Sequence, residues 1–255
     1  GINEDDLNDI CEMINPTKNK LSYLYSIINN TNNGIDVDKF DYIARDSYNL
    51  NLDFTFNFEK LFCGIRVINN EICFKDKDYY NIYSLFIARF RLHKQVCHHP
   101  VVKSIELMIV DYLKLVDQEY DLIDIINNIE QFIRLNDNIF DITHLSFGNS
   151  PNIINMNKII NDIESRKIYK HVCDITNKNF NREKIIEVLS EYKLNTEDYK
   201  LIYTSIKLGN NEHPLVNIKF YNKTNKNKSF NLDLNEISSK IIENYSENKY
   251  ILFVN

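Results

Sequence analysis

Asn33-Gly-Ile-Asp-Val-Asp-Lys-Phe-Asp-Tyr-Ile-Ala-Arg-Asp46 sets a carboxylate, a cation and a ladder of polar side chains at the start of one helix. Gly34 permits a backbone turn and Asp36 is a good N-cap. Ile35 and Phe40 stand where a hydrophobic staple needs them, so the spacing predicts a helix from Val37. Asp38 then falls in the first turn. Asp38, Tyr42 and Asp46 recur every four residues and share one face, with Lys39 one position round and Arg45 near the lower end. Read from the residues alone, two interpretations stand level. One is a solvated polar face on which Asp41 and Arg45 form a weak surface pair. The other is a site for a phosphate-bearing ligand.

A second polar stripe follows on the segment from about 78 to 99, where Arg89, His93 and Cys97 repeat at intervals of four beside Phe86, Phe90 and Leu92. Taken by themselves, Arg89 reads as a structural ion pair and His93 as a satisfied, buried histidine. A His93/Cys97 metal pair fits that spacing, yet no further ligands are placed beside it.

Around these stripes the periodicity predicts helices near 3–14, 18–30, 37–49 and 55–62. A strand pair follows over 65–68 and 72–74, turning at Asn69 and Asn70. The helix over 78–99 stops at Pro100, and a second long helix follows it. Further helices are expected at 122–134, 137–143 and 152–170. From there the pattern changes to a helix at 183–192, strands near 200–208 and 215–222, a helix near 234–245 and a last strand over 250–254. The fold class is therefore mainly α, with a helical body over 1–172 and a small C-terminal α+β lobe over 173–255, and the sequence has no internal repeat.

Composition narrows the function classes. With 255 residues, 44% of them hydrophobic, the chain can bury a sizeable core. Its net charge of −6 disfavours general nucleic-acid binding, which needs cationic surface to displace counterions. The most basic run, from Lys219 to Lys228, reads first as a solvated hairpin turn. Five cysteines without a C-x-x-C pair indicate neither a zinc knuckle nor a secreted disulfide framework. No apolar run approaches the ~20 residues of a membrane span, so the expectation is an intracellular protein without a membrane segment.

The run Gly34-Ile-Asp-Val-Asp-Lys-Phe-Asp-Tyr-Ile-Ala-Arg-Asp46 resembles the fourth-ligand segment of the HD-domain deoxynucleoside triphosphate triphosphohydrolases, most closely their eukaryotic members that add a sterile alpha motif. The resemblance continues through Arg66, Lys75-Asp-Lys77, the helix 81–93, His99 and Glu164-Ser-Arg166, and weakens beyond. It implies an HD-domain-like helical body. It also implies cleavage of a deoxynucleoside triphosphate (dNTP) into deoxynucleoside and inorganic triphosphate at a divalent metal, whether Fe, Zn, Mn or Mg.

Carried over residue by residue, the resemblance makes Asp38 the last of four metal ligands. Lys39 and Arg89 contact the triphosphate, Tyr42 packs on the deoxyribose, Asp46 accepts from the 3′-hydroxyl, and His93 lies near the sugar. Cys97 stands where the family has a Tyr beneath the deoxyribose. The catalytic set is then Asp38, Lys39, Arg89 and His93, and these residue types suit the chemistry: a hard carboxylate for a metal and fixed cations for charge on a triphosphate.

A further implied set binds GTP or dNTP effectors and supports a homodimer or homotetramer: Arg66, Lys75, Lys77, Asn81, His99, Arg166, Lys170 and Lys223. Lys75 replaces the family's Arg, and Pro100 stands in place of a Lys. The family's other three ligands are an early His and a His-Asp pair. This chain has no His-Asp dipeptide, and its six histidines, His93, His98, His99, His144, His171 and His213, all follow Asp38. The expectation is the C-terminal part of a longer dNTP triphosphohydrolase, inactive without the missing N-terminal HD segment. The alternatives are a non-catalytic nucleotide-binding or oligomerisation subunit, or another phosphohydrolase of the HD superfamily.

Overall fold

The computed structural model describes residues 1–17, 22–53, 58–140, 150–176, 181–209, 213–233 and 246–254. In chain order the elements are α1 (Glu4–Ile14), α2 (Tyr25–Ile28), α3 (Val37–Asn49), α4 (Phe58–Phe62), β1 (Arg66–Ile68), β2 (Glu71–Lys75), α5 (Tyr79–Leu92), α6 (Pro100–Tyr120), α7 (Leu122–Asn127), α8 (Ile129–Phe132), α9 (Pro151–Glu164), β3 (Lys170–Ile175), α10 (Arg182–Glu191), β4 (Tyr199–Lys207), β5 (Lys219–Tyr221) and β6 (Ser246–Val254). A 3₁₀ turn spans Asp76–Asp78 and a π-helical segment His93–Cys97. Helix is the commonest state, accompanied by two three-stranded sheets. Among the described residues no helix is long and apolar enough to cross a membrane.

The chain divides into two compact units, Gly1–Gln95 with Ser205–Glu247, and Val96–Thr204 with Asn248–Asn255. Each is drawn from two separated stretches of sequence. The boundary expected after residue 172 lies inside β3, within the second unit.

In the first unit, β1 and β2 form an antiparallel hairpin in which Arg66 faces Cys73 and Ile68 faces Glu71. The two-residue turn has φ of 51° at Asn69 and 62° at Asn70, the doubly left-handed geometry that asparagine tolerates and that matches strand twist. β5 pairs with β2 in parallel, setting Cys73 beside Lys219 and Lys75 beside Tyr221. Tyr221 is buried, and its hydroxyl donates to the Gly64 carbonyl at 2.7 Å. α3 packs on α5, and Phe40, Ile43, Ile82, Leu85 and Phe86 are all buried. That packing fixes the two helices that carry the predicted polar stripes.

In the second unit α6 packs on α9, where Tyr112 and Val116 meet Ile153, Met156 and Ile160. Tyr112 sends its hydroxyl to the Ile139 carbonyl at 2.7 Å, which satisfies the polar end of a fully buried ring. β6 lies between β3 and β4, antiparallel to β3. Ile185 and Leu189 of α10 cluster with Tyr199 and Leu252 of this sheet.

Several elements differ from expectation. The helix expected to reach residue 170 ends at Glu164, because Arg166 takes φ 60° and the Lys167 amide bonds the Asp162 carbonyl at 2.8 Å. That closure normally uses glycine, so the sequence does not punctuate it, and β3 goes unpredicted. The helix expected over 122–134 is broken at Asn128, whose side chain instead caps α8 by accepting from the Glu130 and Gln131 amides. The helix expected over 78–99 is α-helical only to Leu92. The helix expected over 18–30 is reduced to Tyr25–Ile28, and residues 18–21 lie outside the described residues. So do residues 55–57 and 141–143 of two other expected helices, and the whole of the one expected at 234–245.

Candidate functional site

The site begins with the loop ahead of α3. Asn30 is buried, and its amide nitrogen donates to the Ile35 carbonyl at 3.1 Å. Its amide oxygen accepts from the Asn32 and Asn33 backbones at 3.2 Å each. Asp36 is the N-cap, accepting from the Lys39 amide at 2.9 Å and from the Asn30 amide at 3.1 Å. These bonds hold Gly34 at φ 68°, a left-handed conformation glycine adopts without Cβ strain. The Lys39 ammonium folds back onto the Gly34 carbonyl.

A Cβ at Gly34 would meet Lys39 Nζ at 3.1 Å. Gly34→Ala is therefore expected to lower stability by about 1–2 kcal/mol, the cost of a Cβ in this backbone region. Urea unfolding measures it, and an unchanged midpoint would refute the assignment.

Along α3, Phe40, Ile43 and Ser47 form the buried stripe, leaving Asp38 exposed and Tyr42 and Asp46 half-buried on the polar face. Asp41 and Arg45 make the anticipated surface pair, with nitrogen–oxygen distances of 2.9 and 3.1 Å. From α5, Arg89 donates from Nη1 to the Lys207 carbonyl at 2.9 Å, and its charge acts on the Tyr42 phenol. The ring of His93 stands edge-on to that of Tyr42, with centroids 6.4 Å apart. Gly34, Lys39, Phe86, Arg89, Lys207, Leu208 and Gly209 line one pocket.

Burial pushes the Lys39 ammonium below the ordinary lysine value. The Asp36 charge opposes that shift, Arg89 adds to it, and Asp38 opposes it. Burial raises the Tyr42 phenol, against the pull of Arg89. Lys39 thus holds fewer protons folded than unfolded in the alkaline window below 10.5, so in that window its contribution makes unfolding less favourable as pH rises. Anion binding through the charged form runs the other way and falls as pH climbs through the folded value. Affinity for inorganic triphosphate is therefore expected to decline within that window, whereas Lys39→Arg flattens the decline. Superimposable calorimetric profiles for the two proteins would refute this.

The structure brings Asp38, Lys39, Tyr42, Arg89 and His93 together within the first unit. Asp46 is less engaged: the carboxylates whose charge reaches Lys39 and Tyr42 are Asp36 and Asp38, whereas Asp46 acts on Arg45. The expected every-fourth-residue stripe needs correction. Residues 93–97 are π-helical, and their wider turn takes Cys97 out of the α-helical register that Arg89 and His93 keep. Cys97 is half-buried and belongs to the second unit.

The effector set also divides. Arg66, Lys75, Lys77, Asn81 and Lys223 lie in the first unit, and His99, Arg166 and Lys170 in the second. All are exposed except the half-buried Asn81. Arg66 stacks over the Tyr221 ring at 5.6 Å, and the His99 ring caps α6 by accepting from the Val101 amide at 3.2 Å.

Three contributors escape a reading of the sequence: the Asp36 charge, the Phe86 wall and the segment Lys207–Gly209. Arg89 and Lys207 stand 118 residues apart, and no local spacing announces that contact. Asp38 contributes a single carboxylate. No three His, Cys, Asp or Glu side chains among the described residues could hold a metal ion. Zinc-type sites take three or more protein ligands, so this donor set by itself does not fit one.

No protein-family profile matches the chain. It is 33% identical over 250 residues to an HD domain-containing protein of Acanthamoeba polyphaga mimivirus, covering 91% of this chain and 55% of that protein. It is 32% identical over 239 residues to the deoxynucleoside triphosphate triphosphohydrolase SAMHD1 homolog of Dictyostelium discoideum, covering 91% and 46%. Against human deoxynucleoside triphosphate triphosphohydrolase SAMHD1 the identity is 31% over 255 residues, covering 89% and 40%. The chain therefore spans about half the length of the curated relatives it matches.

Proposed function

We propose, for a chain that over its shared span belongs to the HD-domain deoxynucleoside triphosphate triphosphohydrolases, that the pocket lined by Lys39 and Arg89 binds the triphosphate of a dNTP. The native protein then hydrolyses that nucleotide to deoxynucleoside and inorganic triphosphate. The observation that carries this reading is the convergence of Lys39 and Arg89 on one pocket, with Tyr42 within reach of the Arg89 charge. Two cations held by the fold at one pocket supply positive charge toward phosphate oxygens, which is the electrostatic contribution phosphoryl chemistry asks of a protein.

In this reading Lys39 and Arg89 bind and orient the phosphates, and Tyr42 and His93 border the sugar. Asp46 reaches the 3′-hydroxyl and Cys97 bears on sugar choice. A divalent metal, when bound, would supply Lewis-acid chemistry. Its remaining donors would have to come from outside the residues described. GTP or dNTP effectors, held by the divided basic set, and a homodimer or homotetramer complete the proposal.

The test incubates the longest native product containing this chain with dGTP and a divalent metal and identifies the products. Deoxyguanosine and triphosphate are expected. Release of dGMP with pyrophosphate, or of dGDP with phosphate, rejects the cleavage position. A second reading, a nucleotide-binding subunit without catalysis, is favoured by the single carboxylate of the donor set. Nucleotide binding with no product in the same assay selects it.

A further inference from the structure

We propose that Lys207, at the end of β4, is a third phosphate-binding cation of this pocket and acts with Lys39 and Arg89 on the triphosphate chain. The inference rests on the dNTP reading above and deepens it. Three of the seven lining residues are basic and none is acidic, in a chain whose net charge is −6. A concave site with cations unmatched by carboxylates in its wall focuses positive potential and draws a polyanion.

The donors of the other two cations are partly committed to protein. Lys39 bonds the Gly34 carbonyl, and Arg89 bonds the Lys207 carbonyl. Lys207 differs. Its side chain is exposed, and no ion pair among the described residues engages it. Its backbone is nevertheless tied to the cationic wall, because its carbonyl accepts from Arg89 Nη1 at 2.9 Å. The guanidinium therefore holds residue 207 at the pocket while leaving its ammonium free for phosphate.

Calorimetric titration of the longest native product with inorganic triphosphate in EDTA tests this without metal or turnover. Lys207→Ala is expected to weaken binding about tenfold, the lower range for a hydrogen bond to a charged group. Lys207→Arg should restore most of it, and Lys226→Ala, on an exposed loop, should leave it unchanged. Unaltered affinity in Lys207→Ala, with Lys39→Ala and Arg89→Ala both weakened, overturns the role of Lys207 and leaves the substrate reading standing. If none of the three weakens binding, or the parent binds no triphosphate, both fall together. A circular dichroism spectrum of Lys207→Ala unlike that of the parent, with no recovery in Lys207→Arg, also counts against the proposal.

Discussion

Arg89→Ala is expected to lower kcat/KM for dGTP about 100-fold or more in the native enzyme. Loss of one preorganised donor to developing charge costs on that order. Arg89 makes three separable contributions. It lines the pocket shared with Lys39, its charge acts on the Tyr42 phenol, and it holds the Lys207 carbonyl. Because its charge helps depress the Lys39 ammonium, removing it should raise the Lys39 value. The alkaline limb of triphosphate binding then moves to higher pH. Arg89→Lys keeps the charge but not the planar fork that can bond the Lys207 carbonyl and a phosphate oxygen together, so partial recovery is expected. Activity of Arg89→Ala within about twofold of the parent would remove Arg89 from the site, since uniformly weak effects belong to surface charges.

The second large effect is a contrast between two aspartates three residues apart on α3. Asp38→Ala is expected to reduce turnover of the native enzyme at least about 10³-fold, as losses among residues acting as a unit do. Asp41→Ala should change it less than about twofold, because Asp41 spends its carboxylate on Arg45 at the exposed face. Both residues are solvent-exposed, so exposure does not separate them. Position does: the Asp38 charge reaches Lys39 and Tyr42, and that of Asp41 stabilises Arg45. Equal losses in the two variants would undo the assignment.

How much of this was legible in advance depended on the range of the interaction concerned. The start of α3 was readable because an N-cap, a flexible residue and two apolar anchors lie within the seven positions from Gly34 to Phe40, and Asp36 caps the helix as the spacing requires. The hairpin was readable for the same reason, since Asn69 and Asn70 carry the turn themselves. Long-range closure was not. Lys207 reaches Arg89 only because β4 delivers it, and the parallel partner of β2 lies more than a hundred residues downstream. Nor does the sequence signal where α-helix gives way to the π-helical segment at His93–Cys97, or that Arg166 would close α9 without glycine. In both cases backbone geometry adopted a conformation the local residue types do not select.

The parallel pairing of β5 with β2 has a consequence for biosynthesis. Residues 71–75 emerge from the ribosome well before residues 219–221 are translated, and until then one edge of β2 lacks its hydrogen-bonding neighbour. The nascent protein must carry an unfinished sheet while all the residues between Lys75 and Lys219 are added. A product terminated near residue 209 would keep Lys39 and Arg89, yet leave that edge open to pairing with another chain.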